Sequence, residues 1–333
     1  MLLAGISTSI VTKKSTQMRI LVILTLSLMA SPAIASSSSP NPANHSVYCK
    51  VDDDKWHRVI SFSENEVLVD HRILKFEEIW SSPHIDTPGR NVTSIKWEDL
   101  HIPLPEVSFQ SYGYAMTYER HKKEVKLDHS FRFEKGGAPS RMSDPVVHRD
   151  NLDYEAEIGL LINRNTPDIF GYVMINDLTD RDIQVMTYDK DNPSPGFSKA
   201  KSFDGALKIG PLLLIGTAKE WDQLTMTLHL NSRIRQTVGA ANCSKTPQDF
   251  FADTFDGTGE SDWALISTGT EEGVIFQAPG WIRKMLLLLS SGFRMDKAKS
   301  KWLRSFRFLE VGDVVTVSSP LLGMAQSQIV ERK

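Results

Sequence analysis

Acidic side chains on two neighbouring segments with β-strand character have the types and spacing to do chemistry. Glu155 and Glu157 alternate with small or apolar residues, which is the period of a strand, so both project from one face. A second apolar segment, 170–175, is followed closely by Asp177. Carboxylates held side by side repel unless a cation lies between them. The set predicts a divalent-metal site for Mg²⁺, with Mn²⁺ or Ca²⁺ as alternatives. Spacing alone fits a solvent-facing strand and an unrelated turn aspartate equally well.

A second candidate for chemistry is the charged stretch 118–124. If it is helical, His121 and Glu124 are three residues apart and share one face. A carboxylate beside an imidazole fixes its tautomer and raises its basicity, which suits activation of water. From these residues alone, a solvated charged helix is the more ordinary interpretation, because exposed pairs of this kind contribute little.

Six short blocks then follow one another in a distinctive order. They are Tyr118-x-x-His121-x-x-Glu124, Asp153-Tyr154-Glu155-x-Glu157, Asn176-Asp177 with Arg181-Asp182-x-Gln184, Lys201-Ser202-Phe203-Asp204, Thr268-Gly269-Thr270, and Leu309-x-x-Gly312-Asp313-Val314-Val315. In order and chemistry, the chain from about residue 104 onward resembles the fumarylacetoacetate hydrolase family. The resemblance implies an α+β fold, predominantly β, with a mixed β-roll or barrel-like catalytic sheet and a small N-terminal β region.

The resemblance also implies a role for each matching residue. The metal ligands would be Glu155, Glu157 and Asp177. His121 would activate water and be oriented by Glu124, while Lys201 would hold a developing enolate or carboxylate. The residues expected around the substrate are Arg181, Gln184, Tyr188 and Thr270. Lys135 stands in the place of a family lysine, whereas Thr117 and Glu271 stand where the family usually has asparagine and proline.

The activity implied by the resemblance is hydrolysis of a C–C bond in a small acylpyruvate or 1,3-diketo acid. A divalent ion would act as a Lewis acid that stabilises the enolate. Decarboxylation, isomerisation or hydration of a 2-oxo acid on the same fold are alternatives, because these reactions also pass through an enolate. An exported keto-acid binding protein without activity is a further alternative. Family members are usually homodimers, so a homodimer is expected.

The N-terminal segment has the composition of an export signal. Three basic residues precede the apolar run 20–29, and Ala33-Ile34-Ala35 supplies a small-x-small cleavage site. The apolar run is too short for a membrane-spanning helix, which needs about 20 residues. The pattern predicts a signal peptide over 1–35, with Met18 as a possible true start, and export to a bacterial periplasm or the exterior. Residues 36–46 are rich in Ser, Pro and Asn and are expected to form a disordered leader.

The remaining chain divides into a predicted N-terminal β region, 47–105, and a catalytic domain, 106–333. The formal net charge of −3 gives no basic footprint for nucleic acid. Cys49 and Cys243 do not have a zinc-site spacing, and the sequence leaves their pairing open.

A basic insert over about 281–308 is the main departure from the family pattern. It contains eight Lys or Arg residues, one acid, Asp296, and the apolar run Met285–Leu289. An active-site flap or a subunit contact is the expectation. Contact with an anionic membrane surface is an alternative, and so is a structural role driven by the insert.

Overall fold

The computed structural model describes residues 42–52, 54–82, 91–126, 129–256 and 261–332, and only the backbone of 281–283. The predicted signal peptide and residues 36–41 of the predicted leader lie outside the described residues. The rest of that leader is ordered, because Pro42–Asn44 form a 3₁₀ turn and Arg58 Nη2 donates to the Ala43 carbonyl at 3.0 Å. Ordered structure therefore begins before the predicted boundary at residue 46.

Strands predominate over helices, which confirms the predicted α+β class. The strands are β1 Val47–Asp52, β2 Lys55–Phe62, β3 Glu66–Asp70, β4 Val92–Lys96, β5 Gln110–Ala115, β6 Phe131–Glu134, β7 Ser140–Arg141, β8 Val146–Val147, β9 Leu152–Asp153, β10 Ala156–Asn163, β11 Phe170–Asp177, β12 Thr179–Asp180, β13 Leu207–Ile209, β14 Leu212–Gly216, β15 Thr225–Leu230, β16 Arg233–Gly239, β17 Trp263–Thr270, β18 Val314–Ser319 and β19 Gly323–Val330. The helices are α1 Phe76–Ser81, α2 Glu119–Val125, α3 Arg181–Thr187, α4 Ser194–Ala200, α5 Pro247–Thr254, α6 Trp281–Ser290 and α7 Met295–Leu303.

Within the described residues, a large sheet runs in the order β4-β3-β2-β1-β14-β11-β10-β17-β5-β6, with β13 and β7 branching from β11. This path has two free ends, so the sheet is open and does not close into a barrel. The N-terminal strands are part of it, since β1 pairs antiparallel with β14. A second sheet, β16-β15-β18-β19-β8, packs beside the first.

The β10–β11 hairpin is the centre of the large sheet, and both strands are buried along their whole length. One face carries Leu160 and Tyr172 into the main apolar core, and the other carries Leu161 and Val173 into a second apolar cluster. A strand buried on both faces has a nearly continuous apolar sequence, as these two have. The hairpin is therefore a rigid base for the acidic residues at its open end.

The basic insert forms two helices, α6 and α7. Leu303 of α7 and Phe308 pack with Val185 of α3 in a small apolar cluster. Lys299 Nζ also donates to the Val185 carbonyl at 2.6 Å. The C-terminal half of the insert is thus docked on the catalytic domain.

Two further sequence questions concern the thiols and the membrane. Cys49 and Cys243 are both free cysteines. Burial raises the pKa of the Cys49 thiol to about 12 and that of Cys243 to about 11. Among the described helices, none combines the length and apolar character needed to cross a bilayer.

Candidate active site

The three carboxylates singled out in the sequence meet at the end of the central hairpin. Glu155 precedes β10, Glu157 is its second residue, and Asp177 ends β11. The backbone N–H of Asp177 donates to the Glu155 carbonyl at 2.8 Å, which fixes the two segments side by side. Each of the three offers an oxygen within 4.8 Å of the other two, and all three side chains are buried. Oxygen-only ligands at this spacing suit a hard divalent cation.

The electrostatics of the triad also fit a bound cation. Burial, reinforced by the nearby Asp177 and Glu155 carboxylates, raises the pKa of Glu157 well above its ordinary range. Glu155 differs, because Lys201 and Arg181 overcome its burial and lower the pKa of its carboxyl. A cation among the three oxygens would relieve the repulsion at Glu157. The residues present therefore fit a divalent metal.

Two buried lysines flank the triad. Lys201 Nζ lies 2.5 Å from Glu155 Oε2 and 2.9 Å from Asp177 Oδ2. Burial opposes its charge, but these carboxylates prevail and raise the pKa of Lys201. Lys135 Nζ bonds to the other oxygen of Asp177, and burial lowers the pKa of Lys135. Lys135 follows β6 and reaches the site from the opposite side of the cavity, which the local sequence pattern does not reveal.

Arg181, at the start of α3, is tied into the site by protein carboxylates. Its Nε donates to Asp153 Oδ2 at 2.8 Å and its Nη2 to Glu155 Oε1 at 2.6 Å. Its Nη1 donates to Gln184 Oε1 at 2.7 Å, one helical turn away. Asp153 in turn accepts from the backbone N–H of Phe276 at 3.1 Å. The guanidinium therefore orients the Glu155 ligand, and Gln184 braces Arg181.

The predicted dyad is formed on α2. His121 Nδ1 lies 3.1 Å from Glu124 Oε2, and Glu124 Oε1 accepts from the backbone N–H of Gly273 at 3.3 Å. His121 is buried and lines the same cavity as the triad. With its Nδ1–H donated to Glu124, the Nε2 lone pair is left as a base. The helix is thus more than a solvated charged surface.

Thr270 lines the cavity, but its hydroxyl is engaged within the protein. It donates to the Ala156 carbonyl at 2.7 Å and accepts from Gln236 Nε2 at 2.8 Å. Gln236 is a buried residue of β16 that also accepts from the Ala156 N–H at 2.9 Å. Sequence reasoning missed Gln236, although a glutamine in a strand otherwise rich in charged residues gave no indication of burial. The observed bonds give Thr270 a scaffolding contact beside the expected contact with substrate.

The site residues open onto one cavity of about 280 Å³. Its polar lining is formed by His121, Glu155, Glu157, Arg181, Gln184, Tyr188, Lys201 and Thr270. Asp177 lies behind them, held by the lysines. Tyr188, the C-cap of α3, is half-buried at the wall. The structure therefore brings together all ten residues named from the sequence.

Residues 111–330 match the family model described as fumarylacetoacetate (FAA) hydrolase C-terminal. The chain belongs to the fumarylacetoacetate hydrolase family. This confirms the resemblance drawn from the six sequence blocks. The match begins inside β5 and extends through β19, so it includes every candidate site residue.

Individual relatives of the chain have different named activities. The chain is 25% identical over 270 residues to oxaloacetate tautomerase YisK of Bacillus subtilis, covering 75% of this chain and 79% of that protein. A probable 2-hydroxyhepta-2,4-diene-1,7-dioate isomerase from Mycobacterium abscessus aligns with a TM-score of 0.57 at 18% identity, covering 86% of this chain and 99% of the other. Maleylpyruvate hydrolase from Sphingobium sp. SYK-6, solved with manganese(II) and pyruvate, aligns with a TM-score of 0.51 at 15% identity, covering 86% and 100%. Hydrolases, isomerases and a tautomerase thus share this fold.

Proposed function

We propose that this chain is a divalent-metal-dependent hydrolase that cleaves a C–C bond in an acylpyruvate. The observation that carries the proposal is the buried His121–Glu124 pair, 3.1 Å apart, opening onto the cavity that holds the carboxylate triad. Enolate chemistry needs a cation and a positively charged neighbour, whereas hydrolysis also needs a base for water. The dyad supplies that base.

The chain's own residues divide the work of this reaction. His121 Nε2 takes a proton from water, and the resulting hydroxide adds to the acyl carbonyl. The bond between the acyl carbon and the adjacent carbon then breaks, leaving its electron pair on the pyruvate portion as an enolate. Return of the proton to that carbon gives pyruvate, and the acyl group leaves as a carboxylate. Glu124 holds the imidazole tautomer and stabilises its protonated form.

The positive groups hold the anionic end of the substrate and the developing charge. Lys201, close to both Glu155 and Asp177, is kept charged by these carboxylates. Glu155, Glu157 and Asp177 would hold the cation, with Mg²⁺ or Mn²⁺ as the proposed ion. When bound, such an ion supplies Lewis-acid stabilisation of the enolate.

The test is a panel of oxo acids with Mg²⁺ or Mn²⁺, with products identified by NMR. We expect acylpyruvates to yield pyruvate and a carboxylic acid. His121→Ala should lower kcat by about 10²–10⁴-fold, the usual contribution of a general base. Glu124→Gln, which keeps the size of the side chain, should give a smaller loss. Hydrolysis by His121→Ala at the unaltered rate would refute the proposed role.

A second candidate reaction is tautomerisation of a 2-oxo acid such as oxaloacetate. The 25% identity to the Bacillus oxaloacetate tautomerase favours it. Interconversion of the keto and enol forms of oxaloacetate without loss of carbon, and no cleavage of acylpyruvates, would select this candidate. Release of CO₂ would instead indicate decarboxylation. Binding without any turnover would indicate a keto-acid binding protein.

A further inference from the structure

The active-site cavity has a second, apolar lining beyond the charged groups. The charged end is made by the triad, Lys201, Arg181 and His121. The other end is built mainly from apolar side chains, which are Met116, Val125, Phe133, Val185, Phe197, Phe276 and Trp302. A site shaped for a short dicarboxylic oxo acid alone has no use for such a surface.

The basic insert contributes one wall of this apolar end. The Trp302 ring of α7 lies 4.6 Å, centroid to centroid, from the ring of Phe276. Leu303 and Phe308 are buried against Val185 and fix the wall to α3. The Trp302 Nε1–H has no hydrogen-bond partner within the described residues. The indole therefore acts through its apolar surface.

The opposite wall is equally fixed. Met116, Phe133 and Phe197 form one buried cluster, in which the two phenylalanine rings lie 5.7 Å apart. These side chains come from the end of β5, from β6 and from α4. Two preformed apolar walls, one from the family core and one from the insert, face the same space.

The lysines at this end of the cavity are already bonded to the protein. Lys299 Nζ donates to the Val185 carbonyl at 2.6 Å, and Lys126 Nζ to the Pro279 carbonyl at 3.3 Å. Each ammonium thus helps to hold a wall element in place. A substrate tail ending in a carboxylate would have to compete with these carbonyls for the charge.

We propose that the apolar end selects acylpyruvates with a bulky apolar acyl group, aromatic or branched, and that Trp302 is a specificity-determining residue. This inference rests on the proposed function for the reaction itself. The pyruvate portion would lie at the charged end, and the acyl group between Trp302 and the Phe133–Phe197 wall.

The experiment compares kcat/KM of the full chain with Mn²⁺ for benzoylpyruvate, acetylpyruvate and fumarylpyruvate. Each additional buried methylene-sized group favours binding by about fourfold. Benzoylpyruvate should therefore exceed acetylpyruvate by at least about tenfold, and exceed fumarylpyruvate too. Trp302→Ala should lower the benzoyl-to-acetyl ratio by about tenfold. Trp302→Phe, which keeps a ring, should retain most of it and guards against a general folding defect.

Phe293→Ala is the matched control, because Phe293 is an aromatic residue of the same insert that is 74% exposed. It should leave the ratio unchanged. A preference for fumarylpyruvate or acetylpyruvate, or an unaltered ratio in Trp302→Ala, would overturn the inference.

Failure of the proposed hydrolysis can be told apart by calorimetric binding. If none of the three compounds is cleaved, pyruvate and 4-phenyl-2-oxobutanoate are titrated into the protein with Mn²⁺. Tighter binding of the phenyl acid, weakened by Trp302→Ala, would sustain the inference while the hydrolysis proposal fails. Binding of the phenyl acid no tighter than that of pyruvate would overturn the inference itself.

Discussion

Glu157 is the triad residue whose charge depends most on a cation. It is buried beside two other carboxylates, and its Oε2 accepts from the backbone N–H of Gly269 at 2.9 Å. Glu157→Gln keeps the shape but removes one anionic ligand. We expect it to weaken Mn²⁺ binding by more than about tenfold, since even residues outside a metal's ligand set often cost that much. Calorimetric titration of the protein with Mn²⁺ measures this directly.

Glu271→Gln is a suitable control for this variant. Glu271 is also buried, but it lies beyond Thr270 and outside the acidic triad. Its substitution should leave Mn²⁺ affinity within about twofold of the parent. Equal Mn²⁺ affinities for Glu157→Gln and the parent would argue against a metal site at the triad.

At the same residue scale, the sequence predicted what depends on local periodicity. Glu155 and Glu157 share a face because alternation is a property of one strand. The partners of Arg181 required the tertiary structure, since Asp153 and Glu155 precede it by 28 and 26 residues. Gln236, which engages Thr270 from a separate strand, was invisible for the same reason.

The Thr-Gly-Thr turn is the element that joins the dyad helix to the metal ligands. Gly269 has φ +93°, and a Cβ there would lie 2.2 Å from Thr117 Oγ1 and 3.0 Å from the Tyr114 carbonyl. Thr117 Oγ1 itself donates to the Thr268 carbonyl at 2.5 Å. Gly269→Ala should therefore disrupt the approach of the turn to the start of α2. We expect a loss of more than about 1–3 kcal/mol in unfolding free energy, the cost of backbone strain alone, measured by denaturant titration.

Gly312→Ala separates strain from crowding. Gly312 has nearly the same φ, +92°, but a Cβ there meets nothing within 4 Å. Its substitution should show the backbone cost without the steric one, and so destabilise less than Gly269→Ala. If both variants lost the same free energy, the close packing of Thr117 on the turn would contribute nothing.

Among the elements, the insert shows where sequence reasoning stops. Its charge and apolar run predicted an exposed, amphipathic segment, and much of α6 is exposed. The same composition could not reveal that Trp302 packs on Phe276 beside the active site, because that contact joins α7 to the loop after β17. Similarly, the strands of the N-terminal region were predicted, but their addition to the catalytic sheet through β1 and β14 depends on long-range pairing.

At the scale of the whole molecule, export remains a proposal that rests on residues 1–35. We expect a bacterial host that secretes the full chain to remove this segment, because its charged, apolar and small-residue parts follow the order that signal peptidase requires. N-terminal sequencing of the protein recovered from the periplasm or medium should begin at Ser36. A mature protein that retains Met18 to Ala35 would contradict cleavage.

The exposed face of the insert carries the last whole-molecule prediction. Three α6 side chains, Met285, Leu286 and Leu289, are more than half exposed. Around them lie exposed basic residues of the insert, including Lys284 and Lys297. Apolar side chains ringed by positive charge complement an anionic lipid surface. We therefore expect the full chain to co-sediment with phosphatidylglycerol vesicles, and much less with phosphatidylcholine vesicles or at high salt.

Leu286→Ser with Leu289→Ser should reduce this co-sedimentation several-fold, because each removes apolar area that would enter the lipid. Ile234→Ser is the control, since Ile234 is 65% exposed on β16, outside the insert. Equal recovery of parent and double variant with the vesicles would rule out lipid contact by this face. If light scattering showed a dimer that the double variant alone loses, a second copy of the chain would be the occupant, because burial in a subunit interface removes the same side chains from solvent.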